Sequence, residues 1–449
     1  MKTRLLALVL PLAFGLACGS GRAAAEDLLQ VYREALVNDP QLAAARSTWL
    51  AAQEVLPQAR AGLLPTLSLL GAAAQYDYNN ALRTDPQVNV HHQYSQGSYT
   101  LQASQPLYRP QNWISFDQAK QQVDQSQFSL ASAQQDTVVR VVQSYFDVLL
   151  AKFSIELVQN QKAQVAENLA ESKRRFEVGT ATIIDTNEAQ AKYDAILAQE
   201  IQARNDYENK LATLRAIIGR TPKELKGVET EIRPEMPSPT ALEPWVEKAL
   251  QENYQVRIQQ ANFDIASLEV ERQRAGHYPT LDVVANFNQT VAGGAASTAL
   301  SASVTNDTRL GSVGVQFNLP LYQGGAVNSR VRQAVASQET ARQNLETARR
   351  SAQLQTQVSY ANIVGGVAEV NSLKQAVKSA QVSYESTKLG MEVGVRTNLD
   401  VLTTQQQLFQ TRYNLANSYY KYIVNAVKLK QAVGSLNDED VEKINRDLR

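Results

Sequence analysis

Two stretches of the chain have the hydrophobic period of very long helices. From about Pro110 to Glu177 there is no glycine and, after the first residue, no proline, and apolar residues recur at helical spacing. A second stretch, from about Ala326 to Glu392, is similar, with the adjacent glycines Gly365 and Gly366 as a predicted weak point. At 1.5 Å per residue the first helix would be about 100 Å long. Its apolar stripe therefore needs neighbouring helices, packed as in a coiled coil.

Four other segments alternate apolar and polar residues, which is the period of a β-strand with two different faces. The alternation is clearest where Val313, Val315 and Phe317 are separated by small or polar residues. The stretches 79–93 and 291–308, rich in small and polar residues, predict exposed loops within each strand pair. The four predicted strands lie at residues 66–78, 96–105, 281–288 and 311–320.

The strand pattern admits two interpretations. Strands of about ten residues with one apolar face suit an outer-membrane β-barrel, apolar towards lipid and polar towards a lumen. A half-buried sheet in a soluble protein would alternate in the same way. Because four strands cannot close around a lumen, the membrane interpretation requires several copies of the chain.

The chain also has an internal sequence duplication. The octapeptide RAGLLPTL at residues 60–67 returns 214 residues later as RAGHYPTL, and PLY at 106–108 returns at the same offset. A third motif, Glu-Val-Gly followed by aspartate, returns at an offset of 215. The duplication predicts two equivalent repeats, each with a helical opening, two strands and a long helix pair. We place the repeats at residues 26–232 and 233–434, with a proline-rich connector between them and a short charged tail at 435–449.

The N-terminus predicts export. A basic start, an apolar run and the small residues Ala23, Ala24 and Ala25 indicate a secretory signal peptide over residues 1–25. The alternative is a lipoprotein signal with Cys18 as the acylated residue. After cleavage at Ala25 no cysteine remains, so disulfides are excluded. The mature chain would carry 41 basic and 44 acidic residues, a net charge of −3, scattered along helices, which argues against a nucleic-acid partner.

Residues for catalysis are scarce. The three histidines are His91, His92 and His277, and none accompanies a nucleophile motif, a phosphate-binding loop or a zinc-protease motif. A weak metal contact through His91 and His92 is the alternative to loop histidines. The sequence therefore predicts no catalytic residues, no cofactor and no metal site, and the protein is not expected to be an enzyme.

The polar residues that stand out lie at the turns after the two long helices. Gly179 and Gly394 are predicted to end the helices. Thr182 with Asp185, and Thr397 with Asp400, have the spacing of a capping box for the next helix. Arg396 fits this structural explanation poorly, because a cation near a helix N-terminus is opposed by the helix dipole. We expect an anion to compensate it.

The chain resembles the TolC family of outer-membrane exit ducts over nearly its whole mature length. The resemblance rests on the duplicated plan, the paired motifs beside the strands and the segment VGVRTNLDVL at residues 393–402. It implies an α+β membrane protein: a homotrimer in which four strands per protomer form one twelve-stranded β-barrel in the outer membrane of a Gram-negative bacterium. The barrel would continue into a long α-helical, coiled-coil tunnel through the periplasm.

The resemblance also implies roles for the turn residues. Arg396 matches the family's arginine of the periplasmic gate, Asp185 its acidic partner, and Asp400 the carboxylate whose threefold ring narrows the pore. The chain departs from the family at two positions. Thr403 stands where some members have a second acid, and Met391 replaces an aromatic residue of the latch.

The expected function is that of a passive exit duct for efflux or type I secretion. Its implied partners are two further copies of itself, a periplasmic adaptor protein, an inner-membrane ABC or RND pump, and outer-membrane lipid. The alternative is a coiled-coil scaffold of the periplasm or cell surface that forms no channel. The transported substrate is not determined by the sequence, because the duct lining is generic.

Overall fold

The computed structural model describes residues 25–82, 88–180, 182–227, 234–296 and 303–447. Residues 1–24 of the predicted signal peptide, with Cys18 among them, therefore lie outside the described residues, as does part of the boundary between the repeats. None of the helices in those ranges is both long and apolar enough to cross a membrane. The elements, in chain order, are α1 (Leu28–Asn38), α2 (Pro40–Gln53), α3 (Val55–Ala61), β1 (Thr66–Leu82), β2 (Val88–Tyr108), α4 (Pro110–Glu177), α5 (Ile183–Ile218), α6 (Glu243–Glu252), α7 (Tyr254–Arg274), β3 (Thr280–Ala296), β4 (Ser303–Asn318), α8 (Ala326–Glu392), α9 (Asn398–Ala432) and α10 (Asp438–Asp447).

The two long helices have the predicted bounds. Helix α4 has 68 residues and α8 has 67, and each forms a hairpin with the helix that follows it. Gly365 and Gly366 do not interrupt α8, so the predicted weak point is wrong. A glycine pair inside so long a helix costs some backbone entropy, but the packing of α8 against α9 and α7 supports the helix on both sides of the pair.

The four strands form one antiparallel sheet in the order β1-β2-β3-β4. They are longer than predicted, with 16 to 21 residues each. Much of the stretches 79–93 and 291–308 is strand, so the prediction of long loops there is wrong. Backbone hydrogen bonds continue a ladder whatever the polarity of its side chains. For the same reason His91 lies in β2, paired with Asn79 of β1.

One face of the sheet is apolar. The pairing puts Leu101, Phe287 and Gly311 side by side across β2, β3 and β4, with Leu69 of β1 on the same face. The side chain of Val313, two residues from Gly311 and on this face, is 79% exposed. The opposite face carries Gln102, Asn286 and Ser312 in one row. The predicted alternation is therefore present, and no other part of the described chain covers its apolar side.

The main hydrophobic core surrounds the middle of α4. It joins α1, α4, α5, α9 and the segment after α9, and Tyr145 and Phe146 of α4 are its largest fully buried side chains. The predicted tail at 435–449 contains helix α10, and Leu436, just before the helix, and Val441 within it belong to this core. Tyr32 of α1 also donates a hydrogen bond to Asp438 at 2.5 Å. Helix α10 thus closes the core beside α1.

An ion pair joins the sheet to the helices. Arg109, between β2 and α4, donates two hydrogen bonds of 2.7 Å to the carboxylate of Asp282 in β3. Asp282 is only 4% exposed. The sequence pattern places it among the polar residues of β3 but not in the interior. Because the two residues belong to different repeats, this pair links the repeats at the end of the sheet.

Candidate functional site: the turns of the two helical hairpins

The turns between α4 and α5 and between α8 and α9 have almost the same backbone. Gly179 and Gly394 adopt left-handed φ angles of 76° and 78°, which a residue with a Cβ atom rarely adopts. The N–H of Gly179 donates to the carbonyl of Phe176 at 3.0 Å, and that of Gly394 to Met391 at 3.1 Å. Each glycine therefore ends its long helix and reverses the chain.

Both predicted capping boxes are present. In the first turn, the N–H and hydroxyl of Thr182 donate to the carboxylate of Asp185 at 2.9 and 2.7 Å, and Thr182 accepts from the N–H of Asp185 at 3.3 Å. In the second turn, Thr397 and Asp400 repeat these bonds at 2.9, 2.9 and 3.2 Å. The two helix starts are thus equivalent in hydrogen bonding.

The carboxylates are ionised more readily than ordinary aspartates. Hydrogen bonds from the hydroxyl and N–H of Thr182 hold the pKa of Asp185 below its usual value. The N–H and hydroxyl of Thr397 do the same for the pKa of Asp400, and the charge of Arg396 lowers it further. At neutral pH both turns therefore carry a partly exposed negative charge.

Arg396 distinguishes the second turn from the first. Its N–H donates to the carbonyl of Gly390 at 3.1 Å. A Cβ atom at Gly390 would lie 2.9 Å from the Cγ atom of Arg396, so only glycine leaves room for this arginine stem. Asp400 is near enough to supply part of the compensating charge. Within the described part of the chain, Arg396 forms no salt bridge with Asp185, so a single protomer does not bring the two predicted gate residues together.

A group of amide side chains ties the second hairpin to the first. Asn398, the first residue of α9, exchanges two hydrogen bonds of 2.5 Å with Asn168 of α4 and donates a third to Ser172 at 3.1 Å. Two turns along α9, Gln405 donates to Gln164 of α4. The sequence gives no sign of these contacts, because glutamine and asparagine are frequent on every face of these helices.

A small apolar cluster lies beside the amides. Leu402 of α9 packs with Val165 of α4 and Ile196 of α5. The described residues contain no group of three or more side chains arranged to hold a metal ion. What the geometry offers is therefore a charged, hydrogen-bonded turn at the end of each hairpin, and the two hairpins are attached to each other inside one protomer.

An open-edged sheet continuous with helical hairpins about 100 Å long defines a class of protein, the outer-membrane exit duct. Comparison with known proteins identifies the family. The chain belongs to the family of outer membrane efflux proteins, whose sequence model matches residues 31–220 and 245–435. These two segments fall one in each half of the chain.

Individual relatives agree with this family. The chain is 33% identical to the outer membrane protein TolC of Vibrio cholerae over 443 residues, which is 98% of each chain. It is 28% identical to the proteases secretion protein PrtF of Dickeya chrysanthemi, over 96% of this chain and 92% of that one. The crystal structure of the outer membrane protein VceC from Vibrio cholerae superimposes with a TM-score of 0.75 at 18% identity, covering 91% of this chain and 96% of that one.

The predicted family, fold class, function and localisation are therefore confirmed. The protein is an exit duct of the Gram-negative outer membrane with a periplasmic extension, used in efflux or secretion. The alternative of a scaffold without a channel is not supported. The family consists of channels rather than enzymes. The repeat boundaries and the roles of Asp185, Arg396 and Asp400 stay predictions.

Proposed function

We propose that three copies of the chain form a passive duct that a periplasmic adaptor protein and an inner-membrane ABC or RND pump recruit. The observation that carries the proposal is the sheet, whose outer strands β1 and β4 each pair on one side only. Four strands are too few to enclose a lumen, and unpaired edges seek another strand. The proposal assigns no catalysis to the chain itself. The energy for transport therefore comes from the pump.

Outer-membrane lipid is the proposed surrounding of the sheet. Exposed aromatic side chains gather where the strands meet the helices, and aromatic residues of this kind mark the edges of the apolar band in membrane barrels. Tyr322 is 86% exposed there. The other exposed aromatics near this junction are Tyr108, Trp113 and Tyr278. They support a membrane boundary at the start of the helical shaft.

The helix turns are the proposed periplasmic gate. Arg396 and Asp185 form no salt bridge inside one protomer, so we propose that each Arg396 meets Asp185 of a neighbouring copy. A charge-assisted bond of this kind is stronger than a neutral one, and three of them would hold the mouth closed. Asp400, partly exposed in the first turn of α9, is the residue proposed to form the ring of carboxylates that narrows the pore. An adaptor that replaces these contacts between copies with its own would open the duct.

Removing the gate cation should open the channel. Arg396→Ala is expected to raise the single-channel conductance in a planar bilayer severalfold, because the proposed bonds to Asp185 disappear while the turn glycine and the capping box are retained. Lys388→Ala is the matched control, since it removes an exposed cation from α8 near the same turn. Equal conductance of Arg396→Ala and the parent protein would contradict the gate role.

The duct itself is tested with the parent protein. Purified outer-membrane fractions should yield trimers that resist dissociation in detergent and form conducting channels in planar bilayers. Copurification of a periplasmic adaptor and an inner-membrane pump after mild crosslinking would support the proposed partners. A monomer without conductance would overturn the trimeric duct.

A further inference from the structure

The segment that follows the predicted signal peptide is part of the fold from its first residue. The N–H of Glu26 donates a hydrogen bond of 2.7 Å to the carbonyl of Glu224, and the carbonyl of Glu26 accepts one of 2.9 Å from the N–H of Lys226. Glu26 thereby forms a parallel β-bridge with Leu225. Leu28, two residues further on, is fully buried in the main core. The backbone nitrogen of Glu26 is thus held in one place against the segment after α5.

The side chain of Glu26 shares one arginine with a second carboxylate. Nη1 of Arg220 lies 2.9 Å from Oε1 of Glu26, and Nη2 donates to Oε1 of Glu34 at 2.6 Å. Glu26 is only 9% exposed. The other oxygen of each carboxylate, Oε2, is buried and accepts no hydrogen bond from any described residue. In these ion pairs two negative charges face one positive charge, and two buried acceptors lack a donor.

A buried acceptor without a donor is rare in native proteins, and a buried carboxylate is costly unless a cation compensates it. Removal of the signal peptide would create a cation at this place. When the peptide bond before Glu26 is cut, the backbone nitrogen of Glu26 becomes an ammonium group, which is mostly protonated at neutral pH. An ammonium group has three N–H donors. One of them can keep the bond to Glu224, which leaves two for carboxylate oxygens.

We propose that the chain is processed between Ala25 and Glu26 and that the new ammonium group is the second cation of this cluster. A signal peptidase hydrolyses the bond. The C–N bond breaks, the oxygen of one water molecule joins the carbonyl carbon of Ala25, and both protons of that water end on the nitrogen. The leader leaves with a carboxylate, and Glu26 keeps an ammonium group beside its own side chain.

The position of the cut decides whether the cluster gains this charge. Ala23 and Ala25 match the small-x-small pattern for a cut after Ala25, but Gly21 and Ala23 match it for a cut after Ala23. Only the first cut puts the amine on Glu26. The earlier cut would put it two residues away, and a lipoprotein cut before Cys18 would put it eight residues away.

Mass spectrometry and amine labelling test the position of the ammonium group. The protein purified from outer membranes should yield a tryptic peptide of residues 26–33 with a free N-terminus. A reagent selective for N-terminal α-amines should label this peptide at least about tenfold more slowly in the native protein than after denaturation, because labelling requires local opening. A mature N-terminus at Ala24 or Cys18, or equal labelling rates, would overturn the proposal.

Moving the amine tests what it contributes. Insertion of Gly-Ser between Ala25 and Glu26 shifts the ammonium group two residues outwards, and Glu26 keeps its backbone bonds. Ala25 is partly exposed, so the longer chain has a way out of the cluster. The matched control inserts Gly-Ser between Arg22 and Ala23, which lengthens the leader and leaves the mature N-terminus unchanged. Mass spectrometry verifies the N-terminus of both variants.

Only the insertion after Ala25 should destabilise the protein. We expect it to raise the equilibrium constant of unfolding about tenfold, since hydrogen bonds to charged groups contribute free energies of this size. Guanidinium unfolding in detergent, followed by circular dichroism, measures the change. Equal constants for the two insertions would overturn the proposal.

A change of charge separates the role of the ammonium group from a loss of shape. Glu34→Gln removes one negative charge from the cluster, so in this variant the insertion after Ala25 should raise the unfolding constant at least about threefold less than in the parent protein. Glu339→Gln is the control, because it removes a half-exposed acid of α8 outside the cluster. If the insertion had the same effect in Glu34→Gln as in the parent protein, the ammonium group would not be the counter-ion.

Discussion

Arg109→Ala is expected to lower the free energy of unfolding by about 1–3 kcal/mol, because the buried carboxylate of Asp282 loses the hydrogen bonds of its half-exposed partner. Asp282 is 4% exposed, and both of its oxygens accept hydrogen bonds from Arg109 at 2.7 Å. The loss should appear as a lower midpoint of guanidinium unfolding in detergent, followed by circular dichroism. Arg109→Lys should recover part of the loss, since an ammonium group cannot reproduce the two parallel bonds.

The same sheet offers a matched control. Arg309 and Asp307 form a salt bridge of 3.2 Å in which both side chains are largely exposed. Arg309→Ala should change the free energy of unfolding by at most about 1 kcal/mol. Arg109→Ala/Asp282→Asn should be more stable than Arg109→Ala, because the uncompensated charge is gone. If Arg109→Ala were no less stable than Arg309→Ala, the free energy of unfolding would not depend on the bonds between Arg109 and Asp282.

Asp400→Asn is expected to weaken block of the channel by divalent cations about tenfold or more. In the proposed trimer three carboxylates lie near one axis, and a charged constriction concentrates counter-ions to this degree. Asparagine removes the charge but remains a good acceptor at the start of a helix. Titration of single-channel current with Mg²⁺ in a planar bilayer measures the change directly.

Asp185→Asn is the control for this variant, because Asp185 has the same hydrogen bonds to its threonine as Asp400. It should alter gating but leave Mg²⁺ block unchanged. Block by the parent protein should fade as the pH falls, because protonation removes the charge of Asp400. Within one chain Thr397 and Arg396 hold the pKa of this carboxyl below its ordinary value, whereas repulsion among the three carboxylates of the proposed ring raises it. Unchanged Mg²⁺ block in Asp400→Asn would leave capping as the only role of this residue.

Local patterns predicted the helical part of the molecule closely. The bounds Pro110–Glu177 and Ala326–Glu392 follow from uninterrupted helical spacing and from the glycines beyond them. The capping boxes involve residues only three positions apart, so their spacing is visible in the sequence. The strand ends were predicted poorly, because polar residues there pair through the backbone and side-chain alternation gives no signal of it.

The contacts that escaped prediction, at the site and at the end of the sheet, join residues far apart in the chain. Arg109 and Asp282 are separated by 173 residues, and Asn168 and Asn398 by 230. Nothing in the local sequence distinguishes these residues from exposed polar ones. Gly390 is similar, since its importance depends on the path of the Arg396 side chain.

The sequence by itself determined the duplication, the long helices and the chemistry of the turns, because each depends on the spacing of residues within a few turns or on motifs that repeat. Only the tertiary structure decided which polar residues are buried and paired, where the strands end and which edges of the sheet stay open. Those features arise when distant segments pack together, and the energy of burying a charge or pairing a strand depends on that packing.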